Sequence, residues 1–353
     1  MFLALKEIKH EKLRYTLVIS IIVLISYLIF ILTGLAQGLA SQNTSAINSW
    51  QVNSFVLNKD ANINLRQSFL TKNQVHTLKQ NNKQDALLGQ ASIVIKHKNK
   101  KQVSATMIGI KTNSFIYKDM KLINGHKPNN DHELVLDESL INQNYHLGEW
   151  IKLNSSPQKY KIVGFTKNAK INISPIAYGT LSAWKQINNI NNNFAASALV
   201  SKNRNYKTNN TDLKTYNKKT FINNLPGYQA QNMTFEFMIG FLMIISLIII
   251  TIFLYIITNQ KLPNYAVLRA QGISAKLLIK TTIFQSFILV IGGIIISSVL
   301  AGLTYMVLPN NVPILFNMPT LSLVGLGLII TSILGSLIPI KIISKIDPVK
   351  IIN

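Results

Sequence analysis

The sequence predicts an α-helical membrane protein with four transmembrane helices and an α+β domain inserted between helices 1 and 2. Three observations carry that expectation. Charged residues are absent from 15–58, 237–260 and 281–340, and runs of about 20 apolar residues are what a hydrocarbon layer roughly 30 Å thick requires. The third stretch is too long for one crossing, and Pro309, Asn310, Asn311, Val312 and Pro313 divide it in two. Between the first and second runs lies a long segment of short or alternating apolar runs bounded by turn residues, the pattern of packed strands.

Taken in order, residues 1–14 are a basic lead-in carrying Lys6, Lys9, Lys12 and Arg14, and span one is expected over 15–40. A cleaved signal peptide is the competing reading of that span. Its apolar region far exceeds the ~7–15 residues of a signal peptide's apolar region, and no clean cleavage site follows early, so an uncleaved anchor is expected. The inserted domain is assigned to 41–232, span two to 233–258, a connecting segment to 259–280, span three to 281–307, a turn to 308–320, span four to 321–340 and a tail to 341–353.

The short flanks set the expected orientation. The lead-in, the 259–280 segment (Lys261, Arg269, Lys276, Lys280) and the tail (Lys341, Lys345, Lys350) are basic, whereas the 308–320 turn is uncharged. The positive-inside bias therefore places both termini in the cytoplasm of a plasma-membrane protein and the inserted domain outside.

Within that domain, strands are expected at 91–95, 104–110, 133–136, 150–153 and 160–165, and helices at 64–80 and 182–187. The chain has no cysteine, so the domain must rest on its own core, which a chain of about 190 residues can supply. Residues 41–232 hold 25 Lys and Arg against nine Asp and Glu, a net charge of +16. That excess could attract lipid headgroups, cell-wall polymers or an acidic substrate. The simpler reading is a composition rich in Lys, Asn and Ile, as the Asn-rich runs 188–193 and 203–210 suggest. Nucleic acid is not expected as a partner of a domain facing away from the cytoplasm.

The chemistry of an enzyme is not visible. No GxxxxGK[ST], HExxH, CxxC or GxSxG motif occurs, and the histidines (10, 76, 97, 126, 132, 146) are scattered outside the spans. Neither a metal site nor catalysis by this chain is expected. The spans also lack the charged relays of proton-coupled carriers and the repeated broken helices of many secondary transporters. An external energy source fits better.

The segment after span two is the most informative. Leu262, Ala266, Leu268 and Arg269 suggest a short amphipathic helix stopped by Gly272, since glycine suits the position after a helix end. It could dock on a cytoplasmic partner or be an ordinary basic connector. Tyr265, Ala266, Val267, Leu268, Arg269, Ala270, Gln271 and Gly272 resemble the coupling segment of permeases in the FtsX/MacB family of ABC transporters. The tail, Ile346-Asp347-Pro348, is similar to that family's C-terminal stretch, and the lead-in from Ala4 to Leu17 to its amphipathic first helix. In the inserted domain, Glu133 to Leu140, Leu147 to Ile151 and Lys161 to Phe165 resemble the family's extracytoplasmic core, with Gly148-Glu149 where Gly-Asp is more usual.

Within the family the chain looks most like the haem-export permeases of Gram-positive bacteria. The resemblance implies a homodimer in membrane lipid with two copies of a separate ATP-binding subunit, no intrinsic cofactor, ATP bound by the partner, and haem as the transported ligand. It also implies that Leu262, Tyr265, Ala266, Val267, Leu268, Arg269 and Gly272 meet the ATPase, and that spans and inserted domain move together to extrude cargo.

Haem needs an apolar slot, axial ligands and cations for its propionates. Glu236 is the acid near a membrane interior, at the mouth of span two, and an ionisable group there is a functional candidate. Met233, Met238 and Met243 stand nearby, although their spacing of five spreads them around a helix. Tyr27 and Tyr228 could complete a site. The plainer alternatives are a hydrated interfacial carboxylate and methionines that fill packing gaps. Gly34 and Gly38 permit close helix approach, either in a dimer or against span two, and Pro339 is expected to kink or end span four. Export of haem, export of a peptide, antibiotic or lipid, and force transmission to a cell-wall hydrolase all remain open on the sequence.

Overall fold

A computed structural model describes residues 11–78, 80–81, 83–309 and 312–344. Most of the lead-in and the tail from 345 onward, including Asp347 and Pro348, lie outside the described residues. The chain divides into two compact units, Met1–Gly38 with Asn232–Asn353, and Leu39–Gln231.

The chain opens with α1 (Lys12–Ser49) and then forms the inserted domain. Its strands are β1 (Ser54–Asn58), β2 (Leu70–Thr71), β3 (Asp85–Lys96), β4 (Val103–Ile110), β5 (Leu122–Gly125), β6 (Glu133–Asp137), β7 (Trp150–Leu153), β8 (Lys159–Thr166), β9 (Lys170–Ile171), β10 (Ser174–Thr180), β11 (Phe194–Ala196), β12 (Ala198–Ser201) and β13 (Leu213–Asn217). Between them lie α2 (Lys72–Thr77), α3 (Phe115–Asp119), α4 (Leu181–Ile187) and α5 (Lys218–Asn223).

Strand pairing closes a ring. β3 pairs with β4, β4 with β10, β10 with β6, β6 with β8, β8 with β7, and β7 back onto β3 through Ile95 opposite Leu153. Six strands form a small barrel whose interior side chains fill it. Ile93, Ile95, Met107, Leu134 and Ile162 belong to that core. Trp184 lies over Gly89 and Gly109, where a Cβ would stand 2.2 and 2.6 Å from its atoms. The first half of β3 leaves the barrel and pairs with β12, and β1 and β13 extend the sheet. A second core packs there, with Phe55 stacked on Phe221 at 3.9 Å between ring centroids.

The expected α+β domain is thus present, but the helix expected over 64–80 shrinks to α2. Asn64 turns its side chain onto the Arg66 amide, and Ser68 accepts a hydrogen bond from the Asn58 amide. Such local bonds offer the backbone an alternative to the helix. α2 itself starts at a reciprocal cap between Thr71 and Gln74.

The Gly148-Glu149 turn is a polar anchor. Gly148 has φ +84, and its amide donates to the Ile162 carbonyl at 2.8 Å. Glu149 accepts from Lys100 Nζ at 2.5 and 2.6 Å and pairs with His146 at 3.2 Å. Burial alone would raise its carboxyl, but the hydrogen bonds from Lys100 and His146 outweigh it and hold the group below its ordinary value.

The membrane unit comprises α1, α6 (Tyr228–Gln260), α7 (Leu262–Ala270), α8 (Ala275–Val307), α9 (Met318–Gly335) and α10 (Leu337–Ser344). Four helical stretches, Lys12–Ser49, Tyr228–Gln260, Ala275–Val307 and Met318–Ser344, are long and apolar enough to cross a membrane. They overrun the expected spans because hydropathy marks only the apolar part. The polar end of α1 remains helical, with Asn43 and Thr44 bonding back to the Leu39 and Ala40 carbonyls.

Tyr15, Ile22, Leu254 and Leu289 pack in one core of this unit, and Ile29, Phe30, Ala301 and Leu328 in another. α9 and α6 approach closely where Thr251 lies 2.9 Å from the position of a Cβ on Gly335. The break expected at Pro339 falls at Ser336, because Pro339 has no N–H to offer the Gly335 carbonyl four residues back.

Gly34 and Gly38 do approach another backbone, but not that of span two. The 313–316 segment lies across them: the Leu315 amide donates to the Gly34 carbonyl at 3.0 Å, and a Cβ on Gly38 would stand 1.9 Å from the Pro313 oxygen. The neighbouring Asn317 amide donates to Gln37 Oε1 at 3.1 Å.

Two outcomes are expected. Gly38→Val should destabilise the membrane unit by about 1–3 kcal/mol and reduce the chain recovered from membranes, while Gly302→Ala, with nothing within 4 Å, leaves recovery unchanged. Glu149→Gln should destabilise the inserted domain by about 1–2 kcal/mol at neutral pH. Because the folded carboxyl sits below its ordinary 4.5, the gap from wild type should be full above that value and shrink as pH falls through the folded value. Thermal unfolding of the full chain, followed by tryptophan fluorescence, measures both halves of that statement.

Candidate functional site

The first turns of α6 carry the sequence-predicted cargo residues, and helical phase decides which of them share a surface. Glu236 is exposed, as are Met233 (59%) and Met238. Met233 and Glu236 are three residues apart and therefore neighbours on the helix. Beside them Phe237, 75% exposed, stacks on Phe241 with centroids 6.4 Å apart. One turn beyond Glu236, Gly240 is exposed, and none of the described residues lies within 4 Å of where its Cβ would stand. The helix thus presents a carboxylate and a thioether beside an aromatic pair, above an open notch.

The remaining candidates do not join that surface. Met243 turns inward, its Cε 3.2 Å from the Cβ position of Gly327 on α9. Tyr27 packs in the same helix core, and its hydroxyl shares a 2.9 Å hydrogen bond with Thr304 on α8. Tyr228 packs against the core of the inserted domain. Gly240 was not legible as a site residue, since a lone glycine in an apolar helix reads as packing; its place one turn beyond Glu236, on an exposed face, brings it to this surface.

The second candidate surface is α7. Tyr265 (3% exposed) and Ala266 are buried with Leu278 and Ile343, and Leu262 and Leu268 pack partly against them. Val267 is 48% exposed, Arg269 is half-buried, and Gly272 is exposed at φ +91, the left-handed conformation that ends the helix. Of the residues expected to meet a partner, Val267 and Gly272 therefore lie open, whereas Tyr265 and Ala266 hold the helix to α8 and α10.

Just before α7, the Lys261 ammonium is buried at 7% exposure and donates to the Tyr15 hydroxyl at 2.9 Å. Its ammonium also lies 5.5 Å from the centre of the same ring. This contact ties the start of span one to the end of span two. The sequence hints at it, because Tyr15 opens the first charge-free stretch and Lys261 closes the second.

Residues 236–348, which begin at Glu236 and contain the whole of α7, match the family model described as FtsX-like permease C-terminal. The chain carries an FtsX-like permease domain. Across its whole length it is similar to permeases provisionally named hemin transport system permease protein HrtB. The relative from Staphylococcus epidermidis is 28% identical over 360 residues, and that from Staphylococcus haemolyticus 26% over 355; each alignment covers 100% of this chain and 99% of the relative.

Among solved structures, the periplasmic region of MacB from Actinobacillus actinomycetemcomitans is 17% identical, with a TM-score of 0.35, covering 48% of this chain and 92% of that one. The extracellular domain of the noncanonic ABC-type transporter YknZ from Gram-positive bacteria is 13% identical, with a TM-score of 0.31, covering 46% and 84%. Scores this low leave the fold of the inserted domain resting on its own strand pairing. Beside that similarity stand four helices long and apolar enough to cross a membrane, the make-up of a multi-pass membrane protein with an FtsX-like permease domain.

The two faces of α7 give opposite expectations. Val267→Glu, on the open face of α7, should leave the thermal stability of the chain unchanged. Tyr265→Ala should lower that stability by about 3 kcal/mol or more, measured by thermal unfolding of the permease alone.

Proposed function

We propose that this chain is the membrane subunit of an ATP-driven exporter that extrudes haem. The observation that carries the reading is similarity over 100% of this chain and 99% of each relative to proteins named hemin transport system permease. The surface at the start of α6 supports it chemically. Haem is a flat apolar macrocycle whose iron accepts carboxylate or thioether ligands, and Glu236 and Met233 offer one of each beside Phe237 and the Gly240 notch.

In this reading the termini and α7 face the cytoplasm and the inserted domain faces outward, as the basic flanks imply. Two copies of the chain would pair, each engaging one ATP-binding subunit through Val267 and its exposed neighbours. ATP-driven movement at α7 would pass along α6 and α8 to the start of α6 and displace cargo outward. Met233 and Glu236 would hold haem; Met243 and Tyr27 would support the helices that present them.

The test uses cells carrying the permease with its ATP-binding subunit. Glu236→Ala should abolish haem resistance while the complex still assembles, and Gly240→Leu should weaken resistance by filling the notch. In reconstituted complex, haem should stimulate ATP hydrolysis in wild type and not in Glu236→Ala. Unchanged resistance and ATPase stimulation in both variants would remove this surface from the mechanism. Stimulation by a peptide or lipid in place of haem would redirect the cargo.

A further inference from the structure

The inserted domain holds a concave surface that the permease reading does not use. α2, the residue after β4, and α4 meet around a cavity of about 480 Å³, within the ~300–1,000 Å³ range of small-molecule sites. Its floor is apolar, with Leu78 and Leu87 buried and Leu181 beside them. Its rim is cationic, formed by Lys72, Lys111 and Lys185 from three separate elements.

Among the described residues, no carboxylate lines the cavity. None of the three lysines forms an ion pair among the described residues, whereas Lys59, Lys100 and Lys202 in the same domain do. The three charges also feel one another: burial first, then Lys72 and Lys111, lowers the pKa of Lys185. Three like charges gathered over an apolar floor, with no acid between them, raise the free energy of the empty site. An anion seated there relieves that repulsion without breaking an existing pair.

We propose that this cavity binds an amphipathic anion, an apolar body carrying a carboxylate or phosphate group. The acid group meets the three ammonium groups, and the apolar body covers Leu78, Leu87 and Leu181. A cell-wall polyanion would need a polar groove tracking its length, and the leucine floor disfavours it. The proposal stands apart from the haem reading, since the cavity and the α6 surface lie on different units of the chain.

Acetylation footprinting of the full chain in lipid nanodiscs, read residue by residue by mass spectrometry, tests it. Laurate and protoporphyrin IX are the amphipathic probes; acetate and inorganic phosphate carry charge without an apolar body. One or both amphipathic probes should protect Lys72, Lys111 and Lys185 from acetylation while exposed Lys98 and Lys159 react as before. Protection by laurate alone assigns a fatty-acid-like ligand, and protection by protoporphyrin assigns a carboxylated macrocycle.

In the triple variant Lys72→Gln, Lys111→Gln, Lys185→Gln, laurate or protoporphyrin affinity should fall by about tenfold or more, as expected for losing hydrogen bonds to charged groups. The intrinsic fluorescence of buried Trp184 reports that the variant is folded. Absence of protection by both amphipathic probes, or undiminished affinity in the folded triple variant, overturns the proposal. Equal protection by acetate or phosphate also overturns it, by showing a site for charge alone.

Discussion

Backbone polarity in a medium without water is the constraint on which the membrane unit depends. A hydrocarbon layer offers no partner to a bare N–H or C=O, so every such group must be satisfied within the protein. Helices answer this along α1, α6, α8 and α9. The non-helical connection before α9 answers it differently, by lying on α1 where Gly34 and Gly38 leave the helix bare, with the Gly34 carbonyl and Gln37 side chain accepting its amides. A pair of glycines that reads as a helix-pairing motif is a cradle for irregular chain. The same economy of space recurs at Gly335, where α9 meets Thr251 of α6.

Hydroxyls buried inside the helices of this unit, such as Ser286 and Ser297, bond back to carbonyls of their own helix, whereas the buried ammonium of Lys261 stands at a helix end. The Lys261–Tyr15 contact sits where α6 gives way to α7, so a buried charge bordering an apolar run is fixed to the first turns of α1. α7 is held on one face by Tyr265 and Ala266 and left open on the other at Val267. A helix held in this way moves with α8 and α10 when its open face is pushed.

The four spans were legible because charge disappears from them, and five strands because short or alternating apolar runs bounded by turn residues mark β3, β4, β6, β7 and β8. β10 escaped notice, since Pro175 and Gly179 read as turn residues; Pro175 is tolerated near the strand's start, where Pro is least disruptive. Barrel closure was not legible, because it depends on Ile95 meeting Leu153 across a long loop of chain. In the candidate site, Glu236 stood out as a lone acid beside an apolar run. Its companions did not, because helical phase splits Met233 from Met243, and only packing shows Tyr27 turned to Thr304. The clustered lysines of the inserted domain were visible only as a total charge, since residues 72, 111 and 185 converge solely in the fold.

β3 belongs to two cores at once. Its later residues line the barrel, while its first residues join the open sheet with β12. Side chains alternate faces along a strand, so a slip of one residue exchanges inside for outside. In β3 a single inserted or deleted residue would do so for both cores together, and neither could compensate by repacking alone. The strand thus acts as a shared ruler, tolerant of changed side chains of similar size and intolerant of changed length, so divergence in length is confined to the loops around it.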